Sequence, residues 1–281
     1  MFKQVTILGV GLLGASLAMA IRKNKISDNV RLWARNKSTL AKCKNEDWCN
    51  ETFEDIRLSV RGSELIIVCT PVDSIPKLVD AISDSVEEGA LVSDVGSVKN
   101  EICINCEHFL RNSKGIFIGS HPMAGSEKSG LENALDNMFE GKNCVITPTI
   151  STERKALNKL RDFWISMKMH VLSYSPQEHD KAVAFFSHLP HLVSSTLAKS
   201  LSDQPIEWRK VSGNGLRDTT RIAAGDPYLW KQITMMNREN VLDAINSMEN
   251  NLNLVKEMIK NNDPTGLHSI LESGSKFRKS L

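Results

Sequence analysis

The chain has 281 residues, 41% of them hydrophobic and 24% charged, a composition that is ordinary for a globular protein of one large or two average domains. Its formal net charge of only +2 excludes a general attraction for nucleic acid or for a membrane surface, so any site for an anionic ligand must be local. Six cysteines are spread along the chain, which favours reduced thiols and a cytoplasmic protein over a disulfide scaffold.

Two local patterns imitate other kinds of protein. Residues 1–21 are as apolar as a secretory signal, but three glycines at nucleotide-loop spacing favour a strand, a turn and a buried helix. Outside this stretch no apolar run reaches the roughly 18 residues of a membrane span. Cys103 and Cys106 have the spacing of a redox pair or of half a zinc site, but no second pair accompanies them. We therefore expect two packed helix cysteines and no metal.

Through about residue 174 the chain alternates short β-rich apolar runs with helical stretches. Several runs are apolar throughout, as expected of strands that helices cover on both faces. Helical stretches such as 76–85 and 153–168 lie between them. This order predicts an α/β domain of the Rossmann type with a doubly wound, mostly parallel sheet. The predicted strands are residues 5–8, 30–33, 65–69, 91–93, 116–118, 145–147 and 171–174.

The second part of the chain shows no convincing strand. Asp226-Pro227 is a helix-start signature, with Asp as the cap and Pro in the first turn. We predict a dinucleotide-binding domain over residues 1–174 and an all-helical C-terminal domain over 175–281, which binds substrate and joins a homodimer. The predicted helical stretches are 179–202, 206–211, 218–224 and 227–260. Apolar residues recur at steps of three or four and form a helix face wide enough for a core and a subunit interface. They are Met235, Leu242, Ile245, Met248, Leu252, Val255 and Ile259.

The first motif that carries chemistry is a glycine-rich loop. Gly9-Val10-Gly11-Leu12-Leu13-Gly14 follows the first predicted strand and opens an apolar helix, the context that a dinucleotide-binding loop requires. Gly9 allows the tight turn, Gly11 lets the backbone approach a pyrophosphate, and Gly14 lets helix and strand pack closely. The loop, including Leu12 and Leu13, would present unpaired N–H groups to the phosphates. Cys69-Thr70-Pro71, after the third predicted strand, is expected to line the same cofactor site.

The end of the second predicted strand bears on the choice of dinucleotide. Ala34 stands where an NAD enzyme usually carries an acidic residue for the ribose 2′-hydroxyl. Arg35, Lys37 and Ser38 follow and could pair with a 2′-phosphate, a group that arginine suits. The pattern predicts a preference for NADP. The alternative is that these are solvated loop cations and that NAD binds without its acid.

Polar residues that suit proton and hydride chemistry follow two later strands. Ser97 comes soon after the predicted strand 91–93, where its hydroxyl could bind a nicotinamide amide or a catalytic histidine, or cap a helix from Val98. His121 follows the predicted strand 116–118 at the same edge. Its imidazole can take a hydroxyl proton as hydride leaves a carbinol carbon. A structural loop histidine is the alternative for His121 taken alone.

Histidines and arginines recur in the helical part. His188 and His191 lie three residues apart around Pro190, so a helix that begins there would aim His191 inward. Arg217 and Arg221 lie one helical turn apart and can share a face, and guanidinium binds carboxylate bidentately. The alternative for the arginines is a solvated helix face. No carboxylate or cysteine stands beside the two histidines in a suggestive position, so we predict no metal here.

These motifs together resemble one known family. Residues 119–130, Gly-Ser-His-Pro-Met-Ala-Gly-Ser-Glu-Lys-Ser-Gly, are similar to the signature of the prephenate dehydrogenase (TyrA) family. The motifs at 94–99, 187–191, 218–223 and 226–230 fit the family in the same order. The resemblance extends from about Val5 to about Leu254, and the combination is far more specific than any single motif.

The resemblance implies oxidative decarboxylation of prephenate, or of its amino analogue arogenate, with hydride transfer from C4 of the ring to NADP or NAD. It implies that His121 polarises the C4 hydroxyl, that Ser97 orients His121 and the nicotinamide, and that Arg221 binds a substrate carboxylate. Glu127 is implied to pair with Arg221 and gate the site. The other residues implied at the substrate are Ser187, His188, His191, Arg217 and Trp230. The family habit also implies a homodimer through the helical domain.

Two other functions stay open at the level of the sequence. A hydroxyacid or imine reductase of similar architecture would rely on a lysine or aspartate of the helical domain rather than on His121. A non-catalytic NADP sensor would bind the cofactor without turnover and would leave Ser97, His121 and Arg221 without a purpose.

Overall fold

A computed structural model describes residues 1–113, 115–125 and 130–281. A six-stranded sheet forms from β1 (Val5–Leu8), β2 (Val30–Trp33), β3 (Glu51–Phe53), β4 (Leu65–Val68), β5 (Leu91–Asp94) and β6 (Ile116–Phe117). The order is β3-β2-β1-β4-β5-β6 and every pairing is parallel. The strand order reverses between β1 and β4, which is the arrangement of a doubly wound dinucleotide-binding sheet. The predicted Rossmann-type fold is confirmed.

Helices connect these strands and form the described part of the chain after residue 175. They are α1 (Leu12–Lys23), α2 (Lys37–Cys43), α3 (Ile56–Val60), α4 (Ile75–Ile82), α5 (Asn100–Leu110), α6 (Arg154–Ser166), α7 (Pro176–Val183), α8 (Leu189–Ser202), α9 (Asn214–Thr220), α10 (Pro227–Met236), α11 (Arg238–Lys260) and α12 (Pro264–Ser280). Short 3₁₀ turns lie at Ser83–Ser85, Leu131–Asn133, Ile206–Val211 and Arg221–Ala224. Among the described residues, no helix combines the length and apolar character needed to cross a bilayer.

The sheet separates two apolar clusters. Along β4, Leu65 and Ile67 join one cluster, whereas Ile66 and Val68 join the other, because successive side chains of a strand point to opposite faces. All four side chains are fully buried. This double burial explains why the central strands read as continuous apolar runs in the sequence.

A second sheet begins at Gly119, after the last strand of the first sheet, and the sequence did not predict it. The predicted strand 116–118 is only two residues long as β6, and the chain then forms β7 (Gly119–Pro122), which pairs antiparallel with β8 (Asn143–Thr147). Next to β8 and parallel to it lies β9 (His170–Ser173). Close packing requires glycine at 119, because a Cβ there would come within 2.5 Å of the Thr147 hydroxyl oxygen and 2.8 Å of the Cys103 sulfur. The new sheet carries His121 on β7.

The helical part differs from the prediction in two places. The predicted single helix over 227–260 is wrong, since α10 ends at Met236 and α11 begins at Arg238. Between them the buried Asn237 leaves the helical conformation, with φ −113° and ψ 31°, and its side chain bonds instead to the backbone carbonyl of Asp180. The second difference is α12, which carries the chain to Ser280.

Backbone proximity divides the chain into two compact units, residues 1–237 and 238–281. The first unit extends past residue 174 because α10 buries Ile233 in the same apolar cluster as α4 and α5. In the second unit α11 packs with α12, and Asp263 caps α12 by accepting a bond from the Gly266 N–H. The domain boundary at 174 therefore stays a prediction about function, and it does not coincide with the boundary between the two compact units.

Candidate active site

The glycine loop has the geometry that a dinucleotide needs. Gly9 has φ +102°, and a Cβ there would lie 2.8 Å from the Cys69 carbonyl oxygen. A Cβ on Gly14 would lie only 2.0 Å from the Gly9 carbonyl oxygen, so helix α1 packs on the strand through bare backbone. Gly11 caps α1 without a side-chain hydrogen bond, and a Cβ there would meet nothing within 4 Å. The open space before these free N–H groups fits a pyrophosphate.

The residues after β2 differ in whether their side chains are available to bind a 2′-phosphate. Lys37 pairs with Glu54 at 2.6 Å, and the Ser38 hydroxyl donates to the Asn36 side chain at 2.8 Å. Arg35 is exposed and has no ion pair within the described residues, while Ala34 is buried. Arg35 is thus the cation of this loop that is available to a ligand.

A buried ion pair organises the end of β5. The ammonium of Lys99 contacts a carboxylate oxygen of Asp94 and donates to the Ser120 carbonyl at 2.9 Å, and both charged side chains are fully buried. Asp94 also accepts bonds from the Gly96 and Ser120 N–H groups. A buried charge pair of this kind is stable only when further hydrogen bonds complete it. The pair ties the turn that carries Ser97 to strand β7.

Of the roles considered for Ser97, the structure excludes the alternative one as a helix cap. The helix begins at Asn100 with Lys99 as its N-cap. Asp180 of α7 does the capping, because its carboxylate accepts from the N–H groups of Lys99 at 2.7 Å and Asn100 at 2.9 Å. Ser97 is half-buried, and its hydroxyl makes no hydrogen bond to another described residue.

His121 belongs to a buried hydrogen-bonded chain. Its Nδ1 lies 2.9 Å from Nε2 of His179, and Nδ1 of His179 lies 2.8 Å from a carboxylate oxygen of Asp180. All three side chains are at least nine-tenths buried. Burial and then the neighbouring His179 and Lys99 lower the pKa of His121 well below its ordinary value, and burial also lowers the pKa of His179. Both rings are therefore neutral near pH 7.

His188 and Ser187 lie in a π-helical turn. The segment Ala184–His188 has a bond from the Leu189 N–H to the Ala184 carbonyl, five residues back. Pro190 has no N–H to donate to residue 186, which disrupts the ordinary helical pattern at this point. Single π-turns of this type recur at functional sites. The turn buries His188, whose Nδ1 lies 3.2 Å from the Asn237 amide, and burial lowers the pKa of His188 to about 4.

His191 is buried and stacks on Trp230. The ring centroids are 3.6 Å apart with 9° between the planes, and Trp230 also meets the ring of His188 edge to face. His191 and Trp230 line a cavity of about 400 Å³, with Ala223 and Gly225 beside them. Three predicted side chains thus lie side by side, and they connect to His121 through Asn237 and Asp180.

The two predicted arginines are exposed. Arg221 is the first residue of the 3₁₀ turn after α9, next to the cavity wall at Ala223. Arg217 lines a different surface cavity of about 620 Å³ together with Leu201 and Trp208, and His191 does not line that cavity. Glu127, the expected partner of Arg221, lies outside the described residues.

Cys103 and Cys106 are free, buried residues of α5, as expected for packed helix cysteines. Burial raises the pKa of both thiols, that of Cys103 to about 12, so neither is a reactive thiolate. Within the described residues no group of three or more His, Cys, Asp or Glu is placed to hold a metal ion.

Comparison with known proteins identifies the family of this site. A family model described as "Prephenate dehydrogenase, nucleotide-binding domain" matches residues 17–173, and one described as "Prephenate dehydrogenase, dimerization domain" matches residues 175–273. The chain belongs to the prephenate dehydrogenase family. It is accordingly a nicotinamide-dependent dehydrogenase.

Members of the prephenate dehydrogenase family resemble the chain over nearly its full length. Prephenate dehydrogenase of Bacillus subtilis is 28% identical, with 99% of this chain and 76% of that protein covered. The structure of prephenate dehydrogenase from Aquifex aeolicus, in complex with hydroxyphenyl propionate and NAD+, is 31% identical with a TM-score of 0.92, and 100% and 98% of the two chains are covered. Synechocystis arogenate dehydrogenase is 28% identical with a TM-score of 0.85 and 99% coverage of both chains.

The residues that sequence reasoning missed are those behind His121. His179 and Asp180 follow the helix start Ser175-Pro176 and read as an ordinary solvated first turn. Asp94 and Lys99 belong to the motif at 94–99, but the sequence analysis assigned no function to either residue. A lysine that is 0% exposed shows only in the fold, because burial depends on which distant strands surround it.

Proposed function

We propose that this protein catalyses oxidative decarboxylation of prephenate to 4-hydroxyphenylpyruvate, with NADP as the preferred hydride acceptor. The single observation that carries the proposal is His121, a neutral and buried imidazole on β7. Its neighbour Ser120 donates a hydrogen bond to Asp94, which lies at the carboxyl edge of the sheet that carries the glycine loop. Ligands of doubly wound sheets bind at this edge. A neutral imidazole there can accept a hydrogen bond from the C4 hydroxyl of the substrate.

The protein's main task in this reaction is to position the ring and hold one proton. When bound, the nicotinamide accepts the hydride that leaves C4. His121 would accept the proton of the C4 hydroxyl as hydride leaves and the C–O bond gains double-bond character. It would return that proton to the same oxygen when carbon dioxide leaves and the ring becomes aromatic. No net proton is released in this sequence. Positioning of the reactants contributes about 7 kcal/mol or more in favourable cases.

The other predicted residues keep their roles as proposals. Ser97 would bind the nicotinamide amide with a hydroxyl that no described residue uses. Arg221 would bind a substrate carboxylate next to the cavity wall. Arg217 is kept as a proposed substrate cation, although it lines a different surface cavity. The residues proposed to line the substrate pocket are Ser187, His188, His191 and Trp230, and Glu127 is proposed to gate it.

Prephenate is preferred over arogenate in this proposal because of the cavity beside His191. Lys231 lines that cavity, and none of its described lining residues is an Asp or a Glu. A keto acid side chain can lie there, whereas the ammonium of arogenate would meet a cation and find no carboxylate. Relatives of both kinds resemble the chain, so activity on both substrates must be compared.

The preference for NADP depends on Arg35. Lys37 and Ser38 have partners within the protein, and Arg35 is the exposed cation that can pair with a 2′-phosphate. Arg35→Ala should raise KM for NADP at least tenfold and leave KM for NAD nearly unchanged, since a charge-assisted bond contributes about 1.5–3 kcal/mol. Lys37→Ala is the matched control and should have the smaller effect. Equal KM values for the two cofactors in the wild type would contradict the preference.

We also propose that residues 175–281 join two copies of the chain. Helices α11 and α12 expose Leu252, Ile259, Leu271 and Phe277, each more than half exposed. Burying such side chains against a second copy stabilises a dimer by about 25 cal/mol per Å² of apolar surface. Light scattering at working concentration should give twice the mass of the chain, and a monomer would contradict this part of the proposal.

The activity itself is tested by steady-state assays of the purified protein. Prephenate and arogenate are each supplied with NADP and with NAD, and formation of reduced cofactor and of carbon dioxide is followed. The proposal predicts the highest kcat/KM for prephenate with NADP. Absence of turnover with both substrates would overturn it and would favour a different dehydrogenase of the same fold.

A further inference from the structure

We propose that Asp180 and His179 are positioning residues that hold His121 in the tautomer that can accept the substrate's hydroxyl proton. The proposal deepens the function proposed above and rests on it. Its geometric basis is the buried chain from the N-terminus of α5 through Asp180 and His179 to His121.

The hydrogen-bonded chain starts from the Asp180 carboxylate, whose orientation is fixed. Asp180 accepts hydrogen bonds from the Lys99 N–H at 2.7 Å and the Asn100 N–H at 2.9 Å. These are the free N–H groups of the first turn of α5, which favour a negative charge. The Asn237 amide holds the backbone of the same residue, at 2.7 Å from the Asp180 carbonyl oxygen. Asp180 therefore presents an oxygen to His179 as an acceptor only.

The acceptor at Asp180 decides where the protons of both imidazoles lie. Nδ1 of His179 must donate to the carboxylate at 2.8 Å, so in the neutral ring Nε2 of His179 carries the lone pair. That lone pair requires a donor at Nδ1 of His121, 2.9 Å away. The proton of neutral His121 is thereby placed on Nδ1. Its Nε2 is left as an acceptor, and no other described residue bonds to it.

The opposite tautomer of His121 is disfavoured because it would oppose two lone pairs. With the proton of His121 on Nε2, the nitrogens of His121 and His179 that lie 2.9 Å apart would both be unprotonated. A buried polar atom that loses its hydrogen bond costs about 1–3 kcal/mol. The wrong tautomer would also point an N–H at the substrate hydroxyl and could not accept its proton. The tautomer of His121 is therefore set by which atom donates and which accepts in each hydrogen bond.

Two substitutions at His179 separate this role from a structural one. The Gln side chain in His179→Gln can place its amide oxygen near the position of Nε2 and accept from His121. The shorter side chain in His179→Asn can still bond to Asp180 but does not reach His121. We expect His179→Gln to keep kcat within about tenfold of the wild type, and His179→Asn to lose about a hundredfold or more with KM for NADP little changed. His170→Asn, at an exposed histidine of β9, is the control.

A spectroscopic measurement tests the tautomer without turnover. The full-length protein contains seven histidines, so ¹⁵N-histidine labelling gives few signals, and the His121→Asn spectrum identifies that of His121. We expect the wild type and His179→Gln to show His121 protonated at Nδ1, and His179→Asn to show loss of that single tautomer. A wild-type His121 protonated at Nε2 overturns the proposal, as does a His179→Asn variant with wild-type kcat. If prephenate is not turned over, the proposed function fails while the spectrum still decides this inference.

Discussion

Nδ1 of His121 lies 2.9 Å from Nε2 of His179, although the two residues are 58 positions apart. His121 is on β7 and His179 is on α7, so the bond joins the second sheet to the first helix of the predicted substrate domain. Neither ring is reachable by bulk water to any large extent, since their exposed fractions are 7% and 1%. An imidazole held in this way is preorganised before a substrate arrives.

Replacing the imidazole of His121 should abolish most turnover and leave cofactor binding intact. His121→Asn removes the acceptor that faces the substrate hydroxyl, and loss of a general base lowers rates by about a hundred- to ten-thousandfold. The dissociation constant for NADP, measured by fluorescence titration, should change less than about threefold because His121 does not belong to the glycine loop. A variant with full turnover would favour the reductases that rely on other residues.

Two glycines of the loop should respond to substitution in different ways. Gly11→Val points into the open space before α1, so it should weaken NADP binding at least tenfold with little change in the free energy of unfolding. Gly14→Ala places a methyl group 2.0 Å from the Gly9 carbonyl oxygen, so it should destabilise the fold by about 1–3 kcal/mol. Cofactor titration and urea unfolding of both variants check this. Equal behaviour of the two variants would contradict the assignment of Gly11 to the pyrophosphate.

The buried pair of Asp94 and Lys99 should be strongly coupled. Lys99→Met leaves the carboxylate of Asp94 buried and unpaired, which costs about 3–5 kcal/mol of the free energy of unfolding. The double variant Asp94→Asn/Lys99→Met removes both charges and should recover part of that loss. Urea unfolding of the single and double variants measures the coupling. A single variant that loses less than about 1 kcal/mol would contradict the pairing.

Stability should fall as the pH is lowered through the range where free histidine titrates. Histidines of an unfolded chain have a pKa of about 6.5, whereas burial lowers the pKa of His121 and His179, and that of His188 to about 4. Below about pH 6.5 the unfolded chain therefore binds protons that the folded chain does not, and the free energy of unfolding decreases. Each of these histidines contributes about 1.4 kcal/mol per pH unit down to its folded pKa.

Urea unfolding between about pH 7 and about pH 5 measures this slope. His188→Asn should reduce the slope by the contribution of one histidine, whatever its effect on absolute stability. The exposed His268 is the matched control, because solvent reaches its ring in the folded and the unfolded chain alike. A slope that is the same in the wild type and in His188→Asn would contradict the lowered pKa of His188.

The sequence predicts the main sheet well because local pattern determines it. Fully buried parallel strands such as β1 and β4 are continuous apolar runs, and the glycine loop marks where helix α1 begins. The edge strand β3 is missed because Glu-Thr-Phe, half-buried at best, has no apolar pattern. Strand β7 is missed because Gly-Ser-His-Pro is polar and is buried by the packing of β8 and β5 against it.

The candidate site likewise combines residues that short sequence motifs reveal with residues that only contacts between distant parts of the chain reveal. Candidate site residues in short motifs, such as His121 and His191, can be proposed from the sequence together with the resemblance that those motifs support. The partners that position them, His179 and Asp180, are not, because their importance arises from a contact across 58 positions and from the N-terminus of a different helix. The break at Asn237 is missed for a related reason, since its side-chain amide donates to the carbonyl of Asp180, which is distant in the sequence.

The most direct test of the proposed reaction uses prephenate labelled with deuterium at C4. In a single turnover with NADP, the wild-type protein should transfer the label to the reduced cofactor, which mass spectrometry detects, and release carbon dioxide in equal amount. The same transfer should be at least about a hundredfold slower in His121→Asn. Reduced cofactor without the label, or transfer by His121→Asn at the wild-type rate, would contradict the account of His121 as the group that receives the hydroxyl proton.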